Sequence, residues 1–356
     1  MIRSLRAISV SWLLLCVTSL CAISAAQSVV TDLPRQSQRA QVAQRVGITD
    51  ITISYHRPLV AGRKVWGGLV PYGQVWRAGA NENTTITFTD PVMVEGKSLE
   101  KGTYGLHMIP GENEWTVIFS KNSTSWGAFT YTQDEDALRV TVKPEAAELH
   151  DALTYDFDKL QPNSVVAKLE WEKVAVPFKI DVDVHAIVEA SLKKQLRGLG
   201  QYTWEGWDEA ANYLLAEKIA YPDALTYSDK SIGVEDRYDN ELTKSKVLLA
   251  MNRKDEAMAA EKHALDLASP LQRHLYARGL QGEKRNDEAF AIFRDNAQKH
   301  PDMWFVHSGL ARMFCSQGKF DDAAKEMKLA LAKAPDNQKV YVDGLVKKLE
   351  SKQDIN

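Results

Sequence analysis

The spacing of apolar residues changes once along this chain, near residue 185, and that change decides what the chain can fold into. From about Val29 to Val184 the apolar residues mostly alternate with polar ones. Ile51-Thr-Ile53-Ser-Tyr55, Thr85-Ile-Thr-Phe88, Trp115-Thr-Val-Ile-Phe119, Leu138-Arg-Val-Thr-Val142 and Val166-Ala-Lys-Leu-Glu-Trp171 are short runs rich in β-branched and aromatic residues. A period of two is that of a half-buried strand. Turn signals separate the runs at Glu95-Gly96-Lys97, Lys101-Gly102, Pro110-Gly111-Glu112 and Gln161-Pro162-Asn163. Short strands at such spacing predict an antiparallel β sandwich over residues 27–184, with about eight to ten strands and an open barrel as the variant. From His185 to Lys352 the period is helical, which predicts a separate all-α domain.

The helical half repeats itself. Asp208-Glu-Ala210, Asp255-Glu-Ala257, Asp287-Glu-Ala289 and the variant Asp321-Asp-Ala323 are each followed, twelve or thirteen residues after the Ala, by Pro222, Pro270, Pro301 and Pro335. The last two intervals between the alanines are 32 and 34 residues; the first is 47, which places an insertion near Ser231–Asp239. Acid near a helix N-terminus complements the macrodipole, small Ala admits a close neighbour, and Pro marks a stop. The pattern resembles the tetratricopeptide repeat. Its clearest unit is Trp304–Pro335, with Gly309-Leu-Ala-Arg-Met-Phe314, Gln317-Gly318-Lys-Phe320 and Ala330-Leu-Ala-Lys-Ala-Pro335. Asn252 and Lys284 stand where the family's turn glycine is usual. The resemblance implies a protein partner; the plainer alternative is that the repeats only complete the fold. Residues 336–352 read as a helix that caps the stack.

The first 26 residues read as an address. Arg3 and Arg6 precede an apolar run from Ala7 to about Ile23, and Ser24-Ala25-Ala26 then supply small residues before Gln27. This is the pattern of a secretory signal peptide, and it predicts a periplasmic or extracellular protein. Cleavage after Ala26 removes two basic residues and no acid, taking the formal charge from −3 to −5. It also removes Cys16 and Cys21, leaving Cys315 as the one thiol and no intramolecular disulfide. No later run is long enough to span a membrane, so no stable insertion is expected after cleavage. The near-neutral balance argues against nucleic acid as a partner.

Residues 51–81 depart from this acidic background. They hold Arg57, Arg63, Lys64, Arg77 and His56, the aromatics Trp66, Tyr72 and Trp76, and no Asp or Glu. Pro58 should end a strand at Arg57, since proline cannot donate to a ladder. The connection that follows is longer than the ~12–15 residues usual in a compact domain, and such connections are commonly functional. YHRPLVAGRKVWGGLVPYGQVWRAGAN at 55–81, with GTYGLHMIPG at 102–111, EWTVIFS at 114–120, WGAFTY at 126–131 and LRVTVKP at 138–144, resembles the bacterial family called Domain of Unknown Function 2911 over roughly residues 32–184. That resemblance implies an exported β domain, in some members followed by helical repeats. It implies no activity.

Two roles are open to these residues. In one, Arg57, Arg63 and Arg77 hold an anionic or polyhydroxylated ligand, since guanidinium forks suit carboxylate and phosphate. Trp66, Trp76 and Trp126 then offer flat walls, and His56, Asn81 and Asn83 orient the ligand. In the other, the loop is a plug: its tryptophans cap one end of the sandwich and its arginines bond loop carbonyls. An enzyme reading rests on His56, His107 and Glu82 as an open metal site for a hydrolase, without the tight ligand spacing such sites usually show. No GxSxG elbow, P-loop or GxGxxG fingerprint is present, and no cofactor is expected. Asp134-Glu-Asp136 reads as a solvated turn, and Cys315 as a small core residue. The favoured expectation is a non-catalytic binding or scaffold protein.

Overall fold

The computed structural model describes residues 34–356; the signal peptide expected over residues 1–26 lies outside them. The described residues form two compact units, the first ending at Val182 and the second beginning at Asp183.

The first unit is a two-sheet antiparallel sandwich of ten strands. One sheet has the order β1 (Gln38–Val46), β2 (Thr49–Arg57), β3 (Thr85–Phe88), β6 (Gly102–Ile109), β7 (Trp115–Ser120), β8 (Asp136–Val142). The other has the order β5 (Lys97–Leu99), β4 (Val92–Val94), β10 (Ser164–Asp181), β9 (Glu145–Gln161). Alternation fixes which face is inside. On β2, Ile51, Ile53 and Tyr55 are buried while Thr52, Ser54 and His56 lie on the opposite face. Ile53 sits opposite Ile86 of β3, which sits opposite Tyr104 of β6. Phe88, Leu106, Met108, Phe119, Trp171 and Phe178 complete the core, and each such side chain contributes roughly 1.5–3 kcal/mol by leaving water. β2 ends at Arg57, where Pro58 was expected to stop it.

The second unit is ten helices: α1 (Val184–Gln195), α2 (Trp204–Ala216), α3 (Tyr221–Val234), α4 (Tyr238–Ala250), α5 (Lys254–Leu267), α6 (Pro270–Gly282), α7 (Asn286–Lys299), α8 (Trp304–Ser316), α9 (Phe320–Lys333) and α10 (Asp336–Glu350). The repeat seen in the sequence is a repeat of structure. Ala210, Ala257, Ala289 and Ala323 are all buried, on α2, α5, α7 and α9. Three hairpin turns share one closure. Asn252, Lys284 and Gly318 have φ of 60°, 64° and 73°, and the next residue's N–H in each case reaches back across the turn to Leu248, Leu280 or Phe314. The backbone therefore keeps the glycine conformation where the sequence has Asn and Lys. The longer first interval is not a loop insertion at Ser231–Asp239. It holds two helices, α3 and α4, where each later interval holds one, and only a short linker joins them. Pro222 and Pro270 open the next helices, at sites where a missing N–H costs nothing. α10 covers the last apolar face, as expected of a cap; Val342, Leu345, Val346 and Leu349 pack with Ala323, Met327 and Ala330 of α9. The residues after α10 then fold back on α8. Arg312, buried, donates to the carbonyl of Ile355, and Cys315 lies 3.1 Å from Asp354 Oδ1. Among the described residues no helix is long and apolar enough to cross a membrane.

Candidate functional site

The long connection after β2 folds onto the sandwich. Val60 N–H donates to Asp151 O and Leu153 N–H to Pro58 O, so the chain runs on beside β9. A tight turn follows, where Gly68 admits no side chain, since a Cβ there would lie 2.5 Å from Lys64 O. Trp76 then exchanges two 2.8 Å backbone bonds with Met108, extending the sheet past β3. This brings Trp66 and Trp76 against Trp115 and Trp171. Trp66 stands edge-on to the other three at 4.8–5.7 Å, and Trp76 stacks on Trp171 at 5.8 Å.

That geometry corrects part of the ligand expectation. Trp66 is core, not a wall of an open site. Arg57 donates to Leu153 O at 2.9 Å and to Thr154 Oγ1 at 2.7 Å; Arg63 donates to Val60 O and Leu59 O. Both guanidiniums brace the loop, Arg57 by tying its start to β9 and Arg63 by holding the carbonyls of Leu59 and Val60 within it. Trp76 is partly buried and gives its indole N–H to Gly79 O. Asn81 is spent on Ser37 O at 3.2 Å. Arg57 does not join the other two arginines, whereas Arg63 and Arg77 line one cavity of about 860 Å³ together with Trp76 and Asn81. The loop acts largely as the plug.

Arg77 is the exception. Its Nε is buried without a partner, and its guanidinium lies 5.8 Å from the centre of the Trp126 ring. Trp126, 58% exposed, stacks at 15° on Phe129, which is 83% exposed. Trp126 also bridges in backbone pairing to Glu82, and Asn83 N–H donates to Ser125 O. The exposed aromatic pair, Arg77, Glu82 and Asn83 thus gather on one side of the sandwich.

A groove of about 560 Å³ opens there over the outer face of β1, β2 and β3. Arg39 lies directly opposite His56 in the β1–β2 register. His56 Nε2 is 3.3 Å from Glu82 Oε2, and Arg35 Nη1 holds Glu82 Oε1 at 2.5 Å. Asn83 is buried and gives its amide to Asn122 O; a side chain at Gly105 would strike both groups within 2.4 Å, so this approach needs glycine. His56 Nδ1, Glu82 Oε2, Asn83 Oδ1 and Arg77 Nε are all buried without a hydrogen-bond partner among the described residues. Buried polar groups are normally satisfied; Glu82 Oε2 has the ion-pair contact with His56 Nε2, but His56 Nδ1 and Asn83 Oδ1 on the groove's lining residues, and Arg77 Nε in the second cavity, need an explanation.

Charge follows from this arrangement. Burial holds His56 below the ordinary imidazole value; Glu82 pulls it up, and Arg35, Arg39 and Arg77 push it down. Burial would raise Glu82, but a backbone hydrogen bond, the bond from Arg35 and the field of His56 hold it below the usual carboxylate range. Burial also lowers Arg77. At neutral pH the groove is lined by a neutral imidazole, one carboxylate and the two guanidiniums of Arg35 and Arg39, so its balance is positive, while Arg77 lines a second cavity that shares Ser37 with it.

His107 does not join His56 and Glu82. β3 lies between β2 and β6, and His107 is buried on β6 with its ring 5.3 Å from Tyr131. Neither of its ring nitrogens has a well-aligned hydrogen bond, and burial lowers its pKa against the pull of Gly105 O, Asp136 and Glu135. The open metal site expected from His56, His107 and Glu82 therefore does not form: among the described residues the one set of three such groups within 4.8 Å is elsewhere. Asp136, expected in a solvated turn, is held by Tyr131 Oη at 2.9 Å and by Arg139. Arg35, Arg39 and Phe129 escaped the sequence reading. Arg39 carries a faint signal as a polar residue in an alternating strand, but which residue it faces is a matter of pairing.

Residues 37–180 match the model of a family described as "Protein of unknown function (DUF2911)". No curated protein matches the chain. The helical region resembles solved tetratricopeptide-repeat structures. One, titled as YrrB, a TPR protein with an unusual peptide-binding site, is 13% identical, with a TM-score of 0.28, covering 45% of this chain and 84% of that one. Another, MamA, is 16% identical with a TM-score of 0.30, covering 42% of this chain and 87% of its own. The APC/C hetero-tetramer Cut9–Hcn1 is 13% identical with a TM-score of 0.30, over 46% of this chain and 33% of that one.

Proposed function

We propose that this is an exported binding protein whose β unit takes a small anionic ligand, such as a sugar acid or sugar phosphate, and whose helical unit docks a protein. The observation that supports the ligand reading is the pair of unpartnered buried atoms His56 Nδ1 and Asn83 Oδ1 on residues that line a groove of positive balance, with Arg77 Nε also unpartnered in the cavity that shares Ser37 with it. Arg39 would meet the anion in the groove, Arg77 would add its charge from the cavity that shares Ser37 with it, and the exposed Trp126–Phe129 stack beside Arg77 would give a sugar ring a flat face. Arg35 is committed to Glu82 and holds that carboxylate away from the ligand's charge. The supporting observation for the protein reading is the apolar surface on the helices. Leu271 and Leu275 are exposed one turn apart on α6, and Val340 and Tyr341 on α10. Export rests on the pattern of residues 3–27.

A thermal-shift screen of the full mature chain against sugar acids, sugar phosphates and neutral sugars tests the ligand reading. A ligand at 100 times its dissociation constant stabilises by ~2.7 kcal/mol. The expected result is a shift with an anionic sugar that Arg77→Met abolishes; a shift with neutral sugars alone contradicts it. For docking, Leu271→Asp with Leu275→Asp should remove a partner captured by cross-linking in the native host, and unchanged capture would count against that surface.

A further inference from the structure

We propose that the helical unit carries a zinc-class metal site formed by Asp236, Glu241 and His263. Asp236 lies in the linker between α3 and α4, Glu241 in the first turn of α4, and His263 on α5. One ligand atom from each lies within 4.8 Å of the others, and His263 Nε2 is 2.8 Å from Asp236 Oδ2. Asp236 and Glu241 flank the start of α4, and packing of α5 brings in His263 from more than twenty residues away.

Glu241 makes the arrangement more than a surface ion pair. It is only 7% exposed, and its carboxylate has no hydrogen bond or ion pair with any described residue beyond this cluster. Burying most of this residue disfavours its charged carboxylate, and a bound cation offsets that cost. The nearby cation Lys244 is already paired to Asp229 at 2.8 Å. His263 is half-exposed and turns toward the two carboxylates, leaving a path for an ion from solvent.

The donor set selects the ion. One imidazole and two carboxylates suit zinc and its first-row neighbours, whereas Ca²⁺ and Mg²⁺ prefer oxygen alone. Zinc bonds of ~2.0–2.2 Å bring three tetrahedral ligand atoms to separations of ~3.3 Å. The three ligand atoms, each within 4.8 Å of the others, would have to close further on the ion, and water would take the fourth position. The site also explains its place in the fold. It ties the α3–α4 linker, where an extra helix enters the repeat, to the α4–α5 hairpin that follows.

The test uses the full chain stripped with EDTA, dialysed against Zn²⁺ and analysed for metal content, beside Glu241→Gln and His263→Ala. The wild type should keep one zinc per chain more than either variant. Its helical unfolding midpoint should rise with Zn²⁺, and those of the variants should not. Co²⁺ loading should give visible bands that His263→Ala loses, a readout that stands even if Glu241→Gln folds poorly. Equal zinc content in wild type and His263→Ala, or retention of Ca²⁺ in preference to Zn²⁺, overturns the proposal.

Discussion

Acid should loosen the helical unit through one buried imidazole. His274 on α6 is buried with its ring 5.6 Å from Phe293 and 5.7 Å from Phe305, and its Nδ1 has no partner. Burial, helped by the charges of Arg278 and Arg312, lowers its pKa to about 4 from an ordinary 6.5. Unfolded chains bind this proton near 6.5 and folded ones only near 4, so the unfolded state holds more protons in between. The stability that comes from keeping the ring neutral is therefore complete above pH 6.5 and is lost as pH falls through 4. At 1.36 kcal/mol per unit, about 2 kcal/mol is gone by pH 5. Urea unfolding of the helical signal at 222 nm, at pH 7 and pH 5, measures the loss. His274→Leu takes the titrating group away, so the variant should lose about 2 kcal/mol less than the wild type over that interval. Parallel losses in the two proteins would show that His274 is not held neutral by its surroundings.

Three further outcomes are expected. Trp66→Ala should destabilise the β unit by about 3–5 kcal/mol in denaturant unfolding, because it empties the middle of a four-tryptophan cluster; a loss under 1 kcal/mol would mean the loop is not a plug. Lys284→Gly should stabilise the helical unit by roughly 0.5–1 kcal/mol, since a φ of 64° costs any residue with a Cβ, while Gly318→Ala should destabilise it. N-terminal sequencing of the chain produced in an exporting bacterial host should begin at Gln27; a chain that keeps Met1 would contradict export by this leader.

The two architectures were legible because their signals are local. Alternation along β2 and the buried alanines at 210, 257, 289 and 323 require only a period and a face. The helical nature of the long interval was hidden because α3 lacks the repeated Asp-Glu-Ala mark; Ala224, Tyr227, Ser228 and Ser231 form its buried face. Asn252 and Lys284 broke the glycine pattern without breaking the turn, since the backbone bonds of the closure hold them in the left-handed region.

The candidate site was legible only in part. The sequence pointed to His56 and Asn83, which line the groove, and to Arg63, Trp76, Arg77 and Asn81, which line a second cavity, together with Arg57 and Trp66, which the fold turns to structural use. Composition cannot separate these groups. What separates them is which carbonyls come within reach and which strand lies opposite: Arg57 meets Leu153 O of β9, whereas His56, one residue earlier, faces Arg39. Glu82 entered the sequence reading only as a metal ligand, and its bond from Arg35 depends on the chain preceding β1.

The most direct test of the central claim is a calorimetric titration of the full mature chain with the anionic sugar that stabilises it most, repeated with Arg77→Met and Trp126→Ala and at two salt concentrations. The account predicts one site, an affinity that falls as salt rises, and a loss of at least about tenfold in each variant, which corresponds to about 1.4 kcal/mol. Undiminished affinity in Arg77→Met, or binding indifferent to salt, would contradict a positively charged groove as the site.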